Sequence, residues 1–133
     1  MAMTDLVSDF LTRIRNGSVA GHERVEIMAS RINANIAKIL KEEGFIKQFR
    51  LVQSDNGKYS LRVYLKYDET GEPVLRGLKR ESRPGLRKYV KHDSIPQILS
   101  GMGTSILSTS RGVLSAKECK KRKVGGELIC SVW

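Results

Sequence analysis

Side chains that carry chemistry are scarce in this sequence, and each scarcity closes off a class of function. Its two cysteines, Cys119 and Cys130, are too few for a disulfide framework. Standing eleven residues apart with no histidine nearby, they also lack the spacing of a zinc site. The only histidines, His22 and His92, lie in charged, loop-like surroundings. Gly101-Met102-Gly103 lacks the third glycine of a dinucleotide fingerprint, because Ile106 stands in its place, and no Gly-Lys-Ser/Thr phosphate loop occurs. Neither Ser108 nor Ser110 has the Gly-x-Ser-x-Gly context of a hydrolase nucleophile. Catalytic residues, a metal site, a cofactor and a small-molecule substrate are therefore not expected. Apolar runs of about 18 residues are missing too, as are a signal-peptide pattern and a basic amphipathic helix with bulky apolar anchors. No membrane partner is expected; so few cysteines suit a reducing compartment, cytosol or an organelle matrix, and the opening Met-Ala-Met-Thr, without Arg-rich transit character, favours the cytosol.

Positive charge is abundant. The 133 residues carry 24 Lys+Arg against 14 Asp+Glu, a formal charge of +10. Residues 1–70 hold 11 basic and 9 acidic side chains (+2), whereas residues 71–133 hold 13 and 5 (+8). A solvated surface needs no such asymmetry. The field of so many cations calls for an anionic partner, nucleic acid before an anionic membrane surface.

Hydrophobic patterning predicts an α+β protein of two small domains. Thr4 can cap a helix with Leu6, Val7, Phe10, Leu11 and Ile14 on one face, stopping at Asn16-Gly17. Val25 and Ile27 mark a short strand. Ser30 can cap a second helix bearing Ile32, Ile36, Ile39 and Leu40, closed by Gly44. Phe45–Val52 and Tyr59–Tyr67 read as strands joined by an Asp55-Asn56-Gly57-Lys58 turn, since Asn-Gly accepts positive φ. This α-β-α-β-β unit occupies residues 1–70, and the polar stretch Asp68–Pro73 reads as a linker. A mostly-β basic unit, residues 71–133, follows. Its expected elements are strands at Val74–Arg80 and Leu86–Lys91 around a Ser82-Arg83-Pro84-Gly85 turn, a helical turn at Ile95–Leu99, and a strand at Thr104–Thr109 ending in a polar loop. A helix from Ala116 to Arg122 opens with the capping-box spacing of Ser115 and Glu118, Gly125-Gly126 breaks it, and a strand runs from Glu127 to Trp133.

Three clusters could meet an anion. The run from Arg76 to Lys91 sets Arg76, Lys79, Arg80, Arg83, Arg87, Lys88 and Lys91 against the single acid Glu81. Interleaved Leu78, Leu86, Tyr89 and Val90 make these structured strands, so cations are fixed on a sheet beside an aromatic that can lie against a sugar or base. The bland alternative is an edge strand guarded by charge. Ser108-Thr109-Ser110-Arg111-Gly112 places three hydroxyls, a cation and a glycine at a strand end, able to meet a phosphate, a ribose 2′-OH or a base edge, although hydroxyl-rich loops are often only turns. Lys120-Lys121-Arg122-Lys123 is either a further phosphate contact or a solvated helix end favoured by the helix dipole.

Several segments, in order, carry a resemblance to a known family. They are Met3-Thr4-Asp5, Leu11-Thr12-Arg13-Ile14-Arg15-Asn16, Ala29-Ser30, Glu43-Gly44-Phe45-Ile46, Leu65-Lys66-Tyr67, Gly77-Leu78-Lys79-Arg80 and Arg83-Pro84-Gly85-Leu86-Arg87. Ile106-Leu107-Ser108-Thr109-Ser110-x-Gly112-Val113 and Gly126-Glu127-Leu128-Ile129 complete the set and are its most specific part. Across essentially the whole chain the sequence resembles the small-subunit ribosomal proteins of the S-eight family. The resemblance implies a structural constituent of the small subunit that binds a stem in the central domain of its rRNA, supports assembly beside neighbouring ribosomal proteins, and in bacteria represses its own operon mRNA. It assigns RNA contact to Ser108, Thr109 and Ser110 and to Tyr89; the residue patterns add Arg111 and Gly112 in the same loop and the strand cations Lys79, Arg80, Arg83, Arg87 and Lys88. Glu127 is assigned to supporting the loop, since a carboxylate repels phosphate. Ser30 and Arg31 would give an N-terminal contact, where a helix N-terminus offers free N–H groups. Two departures, Leu6 where proline is common and Gly17 where alanine is common, fall on the first helix. A free regulator acting on mRNA alone is the alternative within RNA binding; an enzyme or a peripheral membrane protein would need features that are missing.

Overall fold

The computed structural model describes residues 6–98 and 102–133. It is an α+β fold, with helices and antiparallel sheets in two compact units, Met1–Arg76 and Gly77–Trp133.

In the first unit, α1 (Leu6–Ala20) and α2 (Arg31–Glu42) pack on one face of an antiparallel sheet of β1 (Arg24–Met28), β2 (Ile46–Gln53) and β3 (Tyr59–Leu65) in the order β1-β3-β2. Phe10, Ile14, Ile36, Leu40, Leu61 and Val63 form the fully buried centre. The proposed cap Thr4 lies outside the described residues. Contrary to expectation, α1 runs through Asn16-Gly17 to Ala20. Glycine in a helix costs about 1 kcal/mol, but a Cβ at Gly17 would stand 2.4 Å from Cγ1 of Val25. The missing side chain lets the helix lie closely on β1, and that packing offsets the local propensity. Gly21, at φ +75°, ends the helix instead, with His22 N–H donating to Gly17 O at 2.9 Å. Ser30 caps α2 as expected, accepting from Asn33 N–H at 3.1 Å, and Gly44 follows the helix at φ +82°. The Asp68–Pro73 stretch is itself ordered: Tyr67 bridges to Pro73, and the Asp68 carboxylate accepts from the Thr70 and Glu72 amides.

The second unit is built on β8 (Gly126–Val132). Along one edge it pairs with β4 (Leu78–Arg80) and then β5 (Tyr89–Val90); along the other it pairs with β6 (Thr104–Thr109), which pairs in turn with β7 (Gly112–Ser115). One helix, α3 (Ala116–Arg122), covers a face of this sheet, packing Ala116 and Cys119 with Leu107, Leu128 and Ile95.

Three expectations need correction. The strands Val74–Arg80 and Leu86–Lys91 shrink to Leu78–Arg80 and Tyr89–Val90, and they do not form a hairpin around Ser82–Gly85. Each hydrogen-bonds to β8 instead, because the stretch between them, residues 81–88, keeps to β8 only at its two ends and bulges out in a turn closed by reciprocal Arg83 and Leu86 backbone bonds. Ile95 to Ile98 is not helical, with Ile95 anchored in the core and Pro96 depriving the segment of a donor, and Leu99 lies outside the described residues. The polar loop after Thr109 is a tight hairpin returning as β7.

Candidate nucleic-acid interface

Strand register sets the geometry here. Tyr89 pairs with Glu127, Glu127 with Ser108, and Ser108 with Val113. Directly opposed residues of antiparallel strands share a face, so these four side chains form one row across β5, β8, β6 and β7. The next positions on β6 and β8, Leu107 and Leu128, point into the core beneath α3. Ser108, Glu127 and Tyr89 therefore face away from that helix. Tyr89 keeps 70% of its surface exposed, so its ring is available for stacking rather than consumed by core packing.

The hairpin closing the row is held by its own polar groups. Thr109 Oγ1 donates to Gly112 O at 2.8 Å and accepts from Arg111 N–H at 3.0 Å, while Gly112 sits at φ +103°. Thr109 thus shapes the turn, whereas Ser110 and Arg111 project outward and are exposed.

Glu127 is the anchor of the row. Its carboxylate accepts from the Ser82 hydroxyl at 2.5 Å and from Arg87 at 2.9 Å. Ser82, with no exposed surface, also accepts from Lys88 N–H at 3.1 Å. Burial works to raise the Glu127 pKa, but the Ser82 and Arg87 hydrogen bonds outweigh it and hold the carboxyl below the ordinary glutamate value. The carboxylate therefore clamps the 81–88 loop to β8 and fixes Arg87 beside Tyr89. Lys88 extends toward Glu81 at 3.4 Å. Lys79 is exposed on β4, Arg80 is half-buried opposite Cys130, and Arg83 is exposed at the loop turn.

Of the residues singled out from sequence, Tyr89, Arg87, Lys88, Glu127 and Ser108–Gly112 come together at one end of the sheet. Lys79 and Arg80 lie further along the β8 edge, and Ser30 and Arg31 belong to the first unit. Ser82 was read only as a turn residue, because its partner stands 45 positions away. Gly126, a helix breaker and family-motif residue in the sequence, has a structural role as well: a Cβ there would lie 2.2 Å from the Ser108 carbonyl oxygen. Burial pushes the Cys130 thiol up to about 12 and raises that of Cys119, so neither offers a thiolate. Among the described residues no cluster of His, Cys, Asp and Glu could hold a metal, and no helix is long and apolar enough to cross a membrane.

The fold and the gathered side chains define a basic α+β protein with Arg87, Tyr89 and the Ser108–Gly112 hairpin at one end of a sheet. Residues 5–133 match the family described as Ribosomal protein S8. The small ribosomal subunit protein uS8 of Anaeromyxobacter sp. (strain K) is 53% identical over 133 residues, covering 100% of both chains. Its counterparts from Leuconostoc citreum (strain KM20) and Syntrophomonas wolfei subsp. wolfei are 53% and 50% identical over the same full length. The chain belongs to the ribosomal protein S8 family, structural proteins of the small ribosomal subunit.

Proposed function

We propose that this small-subunit ribosomal protein is a primary rRNA-binding protein, holding a stem in the central domain of small-subunit rRNA and thereby supporting subunit assembly in the cytoplasm. It works without turnover, cofactor or small-molecule substrate, beside neighbouring ribosomal proteins. The basic C-terminal domain, residues 71–133, makes the principal contact; the N-terminal domain, residues 1–70, adds Ser30 and Arg31 at the start of α2. The observation that carries the reading is the Tyr89–Glu127–Ser108 row: a stacking surface and a hydroxyl held in register, with the intervening carboxylate neutralised by Arg87 and Ser82 rather than turned toward phosphate. Regular RNA duplex hides its base edges in a deep, narrow groove, so such a row suits an irregular, widened stem. Lys79, Arg80, Arg83, Arg87, Lys88 and Arg111 supply phosphate attraction; Ser108, Thr109, Ser110 and Gly112 form the hairpin that reads shape. The same surface accepts an mRNA structure that mimics the stem, which is how the protein represses its own operon.

Binding to a central-domain stem, measured against salt, tests this. Ser108→Ala and Ser110→Ala should each cost about 1–2 kcal/mol and blur stem selectivity, as lost hydrogen bonds do. Lys79→Ala should weaken all RNAs alike and flatten the salt slope by about one unit. Equal wild-type affinity for any RNA duplex would sink the reading.

A further inference from the structure

We propose that the outer surface of α3 is a second phosphodiester-binding surface, taking a segment of rRNA separate from the one that the Ser108 side of the sheet faces. This rests on the RNA-binding reading above and adds a site to it. Lys117, Lys120, Lys121, Arg122 and Lys123 crowd seven consecutive positions with one acid, Glu118, which Arg122 takes at 3.3 Å. Lys117, Lys120, Lys121 and Lys123 are exposed and, among the described residues, have no carboxylate partner. Residues at i, i+3 and i+4 stand about 5–6 Å apart on one helix face, so Lys117, Lys120 and Lys121 form a stripe of cations.

The stripe does not belong to the site already described. α3 buries Ala116 and Cys119 against Leu107 and Leu128, so its exposed side looks away from the sheet. Ser108, Glu127 and Tyr89 stand on the sheet's other face. A stiff duplex seated along that face does not run along α3 as well.

Helix stability does not account for the charge. Cations in the last turn gain from the helix dipole, but Lys117 stands in the first turn, where the sign is wrong. Lys123 is more telling. As C-cap of α3 it adopts φ 55°, ψ 44°, the only non-glycine at positive φ among the described residues. Glycine is the usual occupant of that conformation, and a lysine side chain there is strained. The fold would be served better by glycine; the surface charge is served by lysine. RNA is favoured over an acidic protein because lysine is depleted in protein–protein interfaces, and the stripe has no apolar or aromatic member to form a dry centre.

Two RNAs separate the surfaces: the central-domain stem alone, and the complete small-subunit rRNA containing it. The full chain and its Lys117→Gln/Lys120→Gln/Lys121→Gln variant are titrated with each over a range of salt. The variant should bind the stem within about twofold of wild type. It should bind the complete rRNA at least about tenfold more weakly, with the salt slope reduced by about two to three units as counterion release scales with the phosphates neutralised. Lys123→Gly should raise the Tm yet still weaken binding to the complete rRNA, a split that a merely structural lysine would not give. Equal losses on both RNAs would overturn the proposal, since the lysines would then act only as a general field; so would no loss on either. If wild type fails to prefer the stem over arbitrary duplex, the stem reading falls, while the comparison on complete rRNA still reports on α3.

Discussion

Ser82 shows how much of the site rests on one small side chain. Its hydroxyl donates to Glu127 and accepts from Lys88 N–H, with no exposure to water. Ser82→Ala leaves a buried amide and a carboxylate short of partners, and should lower stability by about 1–3 kcal/mol in urea unfolding. Glu127 carries a pH signature. Its folded pKa is depressed, so between that value and the ordinary one of 4.5 the unfolded chain binds more protons than the folded one. The resulting stability is complete above that window and is lost as pH falls through it. The stability gap between wild type and Glu127→Gln should therefore close on acidification; a gap constant from neutral to low pH would refute the ionic clamp. Ser108 and Tyr89 stood out in the sequence because their own neighbours mark them. Ser82 did not, because its role exists only once β8 brings Glu127 across 45 positions.

Among the elements, some defined by local signals were legible in the sequence. α3 begins and ends where the Ser115 cap and the last of its cations place it. The β2–β3 hairpin turns at Gly57, φ +85°, as Asn-Gly demands. Elements defined by a distant partner were not. Val74–Arg80 and Leu86–Lys91 read as strands around a turn, but β8 offers each only a few positions, and Pro84-Gly85 bulges away between them. Gly17 and Gly126 misled for a related reason. Both read as breakers, whereas Gly17 leaves room for the Val25 side chain and Gly126 lets β8 lie close to the Ser108 backbone. Gly126→Ala should push β6 away at Ser108 and cost about 1–3 kcal/mol in thermal unfolding. It should also lower stem selectivity without touching any cation, so the salt slope should stay as in wild type.

At the scale of the whole molecule, the charge asymmetry found in the sequence has a structural address. Most of the excess of +8 in residues 71–133 stands on the 81–88 loop, the β6–β7 turn and α3. Most of the salt dependence should therefore be lost when these cations are neutralised together, and remain when Arg24, Arg50 and Arg62 on the β1-β3-β2 sheet are replaced. On that sheet Arg62 is bonded to Glu26 at 2.6 Å and Arg50 lies over the Tyr64 ring at 5.8 Å.

The position of β8 has a further consequence, in time rather than space. It is the shared neighbour of β4, β5 and β6, yet it is the last strand of its unit to be synthesised. Residues 77–115 can emerge from the exit tunnel of a translating ribosome with only the β6–β7 hairpin able to pair, β4 and β5 still lacking their neighbour, whereas the first unit already holds every strand of its own sheet. Leu78 must wait for Val132 before it can pair, and closing so long a loop is slow. Nascent chains arrested before residue 126 should thus be protease-resistant through the first unit and cleaved within the second. On the reading proposed above, the Tyr89–Glu127–Ser108 row cannot assemble until β8 has left the ribosome that makes it.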